Sequence, residues 1–220
     1  LQTLFAHIPG LKVIMPFSPH DAKGLLIASV KDDNPIIYIE HRWLHNLHGE
    51  VPRESYVVPI GKARVAKKGK EVTIVSSSHM TLEALRAAEC LKNSSIDVEV
   101  VDLRSLKPLD EETILESVKK TGRLIVVDGA WRFLSVSAEI ISIVVEKAFS
   151  SLKQPPCRVT FPDFPTPTSS ALSNQYYPRA INIINKVEDL LGLPKKSESE
   201  WGISPTGPLD VPDKSFTGPF

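Results

Sequence analysis

Short apolar runs and amphipathic stretches alternate regularly between residues 71 and 191, and this pattern is compatible with few folds. The apolar runs have the length of buried strands, and they are residues 71–76, 96–103, 124–128 and 158–161. The other stretches carry apolar residues at a three-to-four spacing, which predicts helices, and they are residues 81–91, 108–120, 137–149 and 179–191. We therefore predict an α/β protein with a three-layer αβα architecture around a doubly wound, mostly parallel sheet.

The first 56 residues predict a smaller unit of the same class. They contain an apolar run at 11–16, a helix start at Ser18 and Pro19, and a second apolar run at 36–40. Residues 1–7 look like a helix already under way, so we expect a piece of a longer protein that begins with the remnant of another α/β domain. The predicted division is residues 1–56, residues 57–192 and a tail rich in Pro and Ser, residues 193–220.

The composition is that of a globular protein without a charge bias. Of the 220 residues, 26 are basic and 26 are acidic, and 42% are hydrophobic. A general binder of nucleic acid or of a membrane surface has a basic excess, so we expect neither partner. No apolar run approaches the roughly 20 residues that a membrane span needs. Cys90 and Cys157 are expected to be free buried thiols.

Residues 40–48 hold half of the chain's six histidines and follow a predicted strand. His41, His45 and His48 indicate a metal site only weakly, because no acidic or cysteine ligand stands at a typical spacing. Ligands of open α/β sheets bind beside the carboxyl ends of strands, so we predict that His41 and Arg42 face an anionic substrate. The sequence has no GxGxxG, GxxxxGK, GxSxG or CxxC motif, which argues against a nucleotide-binding domain.

Two further segments lie at predicted helix ends. Residues 76–79, SSSH, stand between a strand and a helix, where backbone amides can hold an anion. A serine that caps the helix would satisfy the same amides, and we favour this interpretation because such caps are common. Ser29, Asp32 and Asn34 surround the end of a helix, where free carbonyls and one carboxylate suit a hard cation.

Four phrases of the sequence occur in an order typical of one enzyme family. The first is LFAHIPGLKVIMPFSPHDAKGLLIASVKDDNPIIYIEHRWL, and the others are EVTIVSSSHMTLEALRAAECL, VEVVDLRSLKPLDEETILESVKKTGRLIVVD and VTFPDFPTPTSSAL. The first resembles the end of the pyrimidine-binding domain in beta subunits of thiamine-diphosphate-dependent 2-oxo acid dehydrogenases of the pyruvate and branched-chain type. The others resemble the transketolase-type C-terminal domain of those subunits. The resemblance covers about residues 1–192 and leaves the tail unexplained.

The resemblance implies a subunit that acts in a larger enzyme. In this family thiamine diphosphate and magnesium bind between an alpha and a beta subunit, a 2-oxo acid loses carbon dioxide, and the acyl group passes to a lipoyl arm. The implied partners are the alpha subunit, the dihydrolipoyl acyltransferase core and further copies, in a homodimer or an α2β2 assembly. The family's catalytic glutamate and histidine are expected upstream of Leu1, so the resemblance assigns no catalytic residue here and implies that this chain alone is inactive.

The same resemblance implies a potassium ion at Ser29, Asp32 and Asn34, held mostly by carbonyls. It also implies a location in the bacterial cytoplasm or the mitochondrial matrix. Two other interpretations stay open, namely a module for subunit assembly and part of a transketolase-type carboligase.

One segment departs from the family pattern. Where relatives have two glycines before an Ala-Glu-Ile helix, residues 131–140 read WRFLSVSAEI. The loss of glycine changes the turn, and we predict that Phe133 and Leu134 lie in a partner interface. Aromatic residues are unusual in a solvated tail, and this tail contains Trp201, Phe216 and Phe220. We therefore predict that the tail docks on the domain or on a neighbouring subunit.

Overall fold

The computed structural model describes residues 2–203, with Ser170 described by its backbone alone. Its leading unit consists of α1 (Gln2–Ala6), β1 (Lys12–Ile14), α2 (Pro19–Val30) and β2 (Ile36–Tyr38), and a 3-10 turn follows at Arg42–Leu44. The strands β1 and β2 are parallel. The start of α2 is as predicted, because Ser18 Oγ accepts a hydrogen bond from the Asp21 amide at 3.1 Å and Pro19 is the first helical residue.

The rest of the chain forms a second unit in which strands and helices alternate. Its strands are β3 (Arg64–Lys67), β4 (Val72–Ser76), β5 (Val98–Asp102), β6 (Ser105–Lys107), β7 (Leu124–Trp131) and β8 (Cys157–Phe161). Its helices are α3 (His79–Lys92), α4 (Glu111–Thr121), α5 (Val136–Ala148), a short 3-10 helix at Phe149–Ser151, α6 (Ser170–Tyr176) and α7 (Ala180–Leu191). Five of the strands form one sheet in the order β3-β5-β4-β7-β8, in which β3 is antiparallel to β5 and the other pairs are parallel.

Helices cover both faces of this sheet, which confirms the predicted three-layer αβα architecture. The helices α3 and α7 pack on the face that includes Ile74 and Val100. The helices α4 and α5 pack on the opposite face, which includes Val75 and Val126. Every residue of β4 and of β5 is buried, as expected for parallel strands covered on both sides.

The two units are joined by a small second sheet that the sequence analysis did not predict. The short strand β6 pairs antiparallel with β1, so the sheet has the order β2-β1-β6. Val58 packs with Ile14 and Leu25 of the leading unit, and its amide donates to the Gly24 carbonyl at 3.1 Å. The division at residue 57 therefore stays a prediction, because the chain on its C-terminal side also packs on the leading unit.

Part of the tail lies on the second unit. The Trp201 side chain is 7% exposed, and its indole Nε1 donates to Glu188 Oε1 on α7 at 3.1 Å. The Lys196 ammonium lies 4.5 Å from the centroid of the Trp201 ring. The predicted docking of the tail is thus confirmed for Trp201, whereas Phe216 and Phe220 lie outside the described residues.

Two smaller expectations have mixed outcomes. Cys90 and Cys157 are free, but both are half-buried rather than buried. Within residues 2–203, no helix combines the length and the apolar character needed to cross a membrane.

Candidate functional site

The candidate site lies at the carboxyl edge of the five-stranded sheet. In this sheet β4 lies between β5 and β7. The connection after β4 leads to β5 on one side, and the chain later enters β7 on the other side, so a crevice forms between the connections at the carboxyl ends of β4 and β7. Open α/β sheets bind ligands at such a crevice. Here the leading unit contributes to this edge, because Gln2 Nε2 lies 3.2 Å from Asp128 Oδ1 and donates to the Gly129 carbonyl at 3.3 Å.

His41 and Arg42 differ in their surroundings. The His41 Nδ1 atom accepts a hydrogen bond from the Trp43 amide at 3.3 Å and so caps the 3-10 turn. Burial, and to a lesser extent His45, lowers the pKa of His41 to about 4. Arg42 is exposed. Of these two residues, Arg42 is the one that presents a charged group to solvent. The expectation that both residues face an anionic substrate stays a prediction.

His79 is the main site residue that the sequence analysis missed. The residue is 2% exposed, and both of its ring nitrogens lack a hydrogen-bond partner. Its ring stacks on His41 with centroids 4.8 Å apart, and the Trp43 ring meets it edge-on, also at 4.8 Å. Burial is the largest of the causes that lower the pKa of His79 to about 2. The Ser-His phrase drew attention to this position, but no local pattern predicts a stack with a residue 38 positions earlier.

The predicted serine cap at residues 76–79 is wrong. Ser78 occupies the N-cap position of α3, but its side chain makes no capping hydrogen bond, and its Oγ is buried without a partner. Its backbone has φ 51° and ψ −133°, a conformation rare for residues other than glycine. Ser76 Oγ instead lies 3.1 Å from Thr81 Oγ1. The buried edge thus contains an unusual backbone and unpaired polar atoms where an ordinary cap was expected.

Glu83 is the buried carboxylate nearest to His79. Its Oε1 atom lies 3.7 Å from His79 Nε2, accepts a hydrogen bond from Arg86 at 2.8 Å and lies 3.8 Å from Arg179 Nε. Its Oε2 atom accepts the amide of Ala180 at 2.8 Å, at the start of α7. Glu83 therefore ties α3 to α7, and its negative charge is shared among several donors.

Ser29, Asp32 and Asn34 come together at the end of α2, as their spacing suggested. The Asp32 Oδ2 atom forms a 2.5 Å ion pair with Lys12, and Oδ1 accepts from both the amide and the side chain of Asn34 at 2.9 Å. These hydrogen bonds lower the pKa of Asp32 to about 2, with Lys12 contributing most. Ser29 Oγ donates to the Leu25 carbonyl at 2.7 Å. A cation at this site would have to replace the Lys12 ammonium at the carboxylate.

A buried ion cluster crosses between the two units, and the sequence analysis did not predict it. Asp21 of α2 is fully buried, and its Oδ1 lies 2.7 Å from Arg104. Arg64 NH2 lies 3.4 Å from Asp21 Oδ2 and 3.5 Å from Asp102 Oδ2. Burial raises the pKa of Asp102 to about 6, although Arg64 opposes the rise. The cluster fixes the position of the leading unit on the second unit.

Phe133 and Leu134 lie on an exposed apolar surface. Their side chains are 73% and 71% exposed, and Leu134 has a positive φ of 50°. Trp131 and Phe164 nearby are about half exposed, and the Trp131 indole donates to the Phe164 carbonyl at 3.1 Å. We call Trp131, Phe133, Leu134 and Phe164 the aromatic surface. The partner interface at Phe133 and Leu134 stays a prediction.

No metal centre of side-chain ligands is formed in the described part of the chain. No group of three or more His, Cys, Asp or Glu residues there has a geometry that could hold a metal ion. His41, His45 and His48 do not converge with such ligands, and we assign no catalytic residue within residues 2–203.

Comparison with known proteins identifies the family. The model of the transketolase C-terminal domain matches residues 61–183, more than half of the chain. A relative from Cupriavidus necator, the beta subunit of acetoin:2,6-dichlorophenolindophenol oxidoreductase, is 45% identical over 183 residues, which are 83% of this chain and 54% of the relative. The beta subunit of the pyruvate dehydrogenase E1 component from Rickettsia conorii is 43% identical over 184 residues, which are 84% of this chain and 56% of the relative. The chain thus spans little more than half the length of these relatives.

A solved structure supports the same assignment. It is described as a split gene transketolase in the form of an inactive beta4 tetramer. It matches 88% of this chain and 62% of its own, with a TM-score of 0.73 and 25% identity. The fold and the matched sequence agree with the resemblance seen in the four phrases, and the chain belongs to the transketolase C-terminal domain family.

Proposed function

We propose that this chain is the C-terminal part of the beta subunit of a thiamine-diphosphate-dependent 2-oxo acid dehydrogenase. The 43% identity to a pyruvate dehydrogenase E1 beta subunit over most of the chain is the observation that carries the proposal. The proposed activity of the whole enzyme is oxidative decarboxylation of pyruvate or a related 2-oxo acid, with transfer of the acyl group to a lipoyl arm. Thiamine diphosphate would supply the electron sink for this chemistry.

The described residues do not fit a thiamine diphosphate or magnesium site. Magnesium needs converging oxygen ligands, and no cluster of such side chains exists within residues 2–203. The unpaired nitrogens of His79 are enclosed by the rings of His41 and Trp43. We therefore derive no catalytic step from this chain and propose that it is inactive alone, with the cofactor and its magnesium held elsewhere in the assembly.

The role that we propose for the chain itself is to position its partners. The partners would be the alpha subunit, the dihydrolipoyl acyltransferase core and, in a homodimer or α2β2 enzyme, a second beta subunit. The aromatic surface supports this role, because Phe133 and Leu134 present apolar side chains to solvent. Interfaces of this kind are centred on large apolar side chains.

Pull-down experiments with the alpha subunit and with the acyltransferase test the interface. Phe133→Asp in the full beta subunit should weaken binding of one partner by at least tenfold, because a charge would be buried in an apolar contact. Phe149→Asp is the matched control, since Phe149 is 70% exposed and lies on the far end of α5. Equal binding by both variants would exclude the aromatic surface as the interface.

We also propose that Arg42 binds an anionic substrate. His41 would instead stabilise the 3-10 turn that positions Arg42. Arg42 is exposed, and a guanidinium suits a carboxylate. Arg42→Ala in the assembled enzyme should raise KM for the 2-oxo acid with little change in kcat. An unchanged KM would remove Arg42 from the site.

Potassium at Ser29, Asp32 and Asn34 remains a proposal that rests on the helix-end carbonyls and the Asp32 carboxylate. Replacing potassium by choline in the buffer should lower the melting temperature of the whole enzyme. The effect should grow in Lys12→Met, which frees Asp32 Oδ2. Melting temperatures independent of potassium in both proteins would exclude the site.

Acetoin cleavage is a second candidate function. Relatives from Cupriavidus necator and Bacillus subtilis that are named for acetoin are 45% and 41% identical to this chain. Assays of the assembled enzyme with pyruvate and with acetoin as alternative substrates separate the two activities. For the location we propose the bacterial cytoplasm or the mitochondrial matrix, which fractionation of the source cells would test.

A further inference from the structure

The segment after β2 contacts the crevice of the second unit through its aromatic rings. We call residues 41–48 the His-rich segment. Its His41 and Trp43 rings both lie 4.8 Å from the His79 ring, which begins α3. Trp43 also contacts Tyr177 at 5.3 Å, and Arg179 lies over its ring at 5.4 Å. The contact therefore joins the His-rich segment to two different parts of the second unit.

The surroundings of the stack favour neutral imidazoles. His79 is 2% exposed, and neither of its nitrogens donates or accepts a hydrogen bond within the described chain. The Glu83 Oε1 atom 3.7 Å from Nε2 already accepts from Arg86, and burial of a further charge costs several kcal/mol, so a protonated His79 is disfavoured in the closed contact. Two stacked imidazolium rings would in addition repel each other.

The charged groups around the stack add to this preference. Arg86 on α3 and Arg179 before α7 are positive, and His45 lies in the same segment as His41. Glu83 is the negative group that faces His79 from α3, and it already accepts from Arg86 and from the Ala180 amide. The single negative charge of Glu83 is thus shared between Arg86 and Arg179. A further positive charge on His41 or His79 would not be neutralised by these surroundings.

We propose that the His41–His79 stack is a proton-sensitive contact that holds the His-rich segment on the carboxyl edge of the sheet and releases it when the rings become protonated. Release of the segment exposes both the His41 ring and the His79 ring of α3 to solvent, where they take up protons with an ordinary pKa near 6.5. The closed contact takes up protons only at much lower pH, because burial lowers the pKa of His41 to about 4 and that of His79 to about 2. Acidification from pH 7.5 therefore favours release.

Amide hydrogen exchange of the whole chain at pH 7.5 and pH 5.0 tests the proposal, after correction for the intrinsic rates. Linkage predicts that the opening constant of the His-rich segment rises by about 30-fold for each coupled histidine between these pH values. Amides in β4 and β5 should not show the same rise, which distinguishes release of the segment from global unfolding. An opening constant that is equal at both pH values would overturn the proposal, and so would a rise that β4 and β5 share.

Two variants separate the histidines from other acid effects. His79→Phe keeps a ring for the stack but cannot be protonated, so the rise should fall to that of one histidine. The double variant His41→Phe and His79→Phe should show no rise. His48→Phe, an exposed residue of the same segment, should behave like the unmodified protein. If the variants fold poorly, NMR titration of the unmodified protein still tests the proposal. The imidazole resonances of His41 and His79 must then titrate with pKa values below the ordinary value, and ordinary pKa values for both rings would overturn the proposal.

Discussion

Asp21 and Arg104 form a 2.7 Å ion pair between α2 of the leading unit and the segment that follows β5 of the second unit. Asp21 is fully buried, the Arg104 side chain is 13% exposed, and Arg64 joins the pair to Asp102. The ring stack at His79 and the hydrogen bonds of Gln2 with Asp128 and Gly129 also join the two units. The small sheet β2-β1-β6 adds backbone pairing at the same boundary.

Removal of the Asp21 charge should destabilise the chain. In Asp21→Asn, the buried end of Arg104 loses its carboxylate, and breaking a buried pair in this way costs about 3 kcal/mol. Urea unfolding measures the change. Asp33→Asn is the control, because Asp33 is exposed on the same unit. Equal stabilities of the two variants would show that the cluster does not hold the units together.

Gly69 should not tolerate a side chain. A Cβ atom at this position would overlap the backbone of Val98 and Glu99, and backbone atoms cannot move aside cheaply. We expect Gly69→Ala to lower the free energy of unfolding by at least about 2 kcal/mol, as overpacking does. At Gly49 the same atom would meet only Pro19, at 3.4 Å, so Gly49→Ala should be nearly neutral. Similar melting temperatures of both variants would contradict this reading of the β3–β5 edge.

The docked part of the tail should contribute to stability. Trp201→Ala removes a ring that is 7% exposed and leaves Glu188 without its indole donor. Truncation of a buried aromatic residue costs about 3 kcal/mol. Phe149→Ala, at a residue that is 70% exposed, provides a comparison of similar size. Limited proteolysis should then cut residues 193–203 faster in Trp201→Ala, and an unchanged cutting rate would argue against docking.

Asp102 predicts a pH dependence opposite in sign to that of the histidines. Its pKa is raised to about 6 in the folded state from an ordinary value of 3.8, so the folded state binds more protons between these values. The unmodified protein should therefore gain about 1 kcal/mol over Asp102→Asn when the pH falls from 8 to 5. Urea unfolding at both pH values gives this difference, in which the histidine effects cancel. Asp163→Asn, at an exposed carboxylate, should show no such gain.

The sequence predicted the second unit well because its signals are local. Strands such as β4 are continuous apolar runs, and α4 carries a cap at Asp110, acidic residues in its first turn and a stop at Gly122 with φ 73°. Helix α6 and strand β6 were missed. The seven residues of α6 follow a proline-rich stretch, and β6 has three residues whose pairing with β1 is decided by the fold of the whole chain.

The site was harder to predict than the fold. His41 was singled out by its place after a strand, but its partner His79 lies in another unit, and only the tertiary structure brings the rings together. The serine cap failed for a related reason, since Ser78 adopts a positive φ that no local sequence pattern predicts and its side chain makes no capping hydrogen bond. Contacts between residues distant in sequence leave no periodic pattern from which they can be read.

Whether this chain depends on its partners for activity is decided by comparing the chain alone with the full beta subunit assembled with its alpha subunit. Both samples receive thiamine diphosphate, magnesium, pyruvate and 2,6-dichlorophenolindophenol as electron acceptor, and reduction of the dye is followed. We expect no turnover by the chain alone and turnover by the assembly. Dye reduction by the isolated chain, or an assembled enzyme that consumes neither pyruvate nor another 2-oxo acid, would show that the chain is not part of a 2-oxo acid dehydrogenase of this kind.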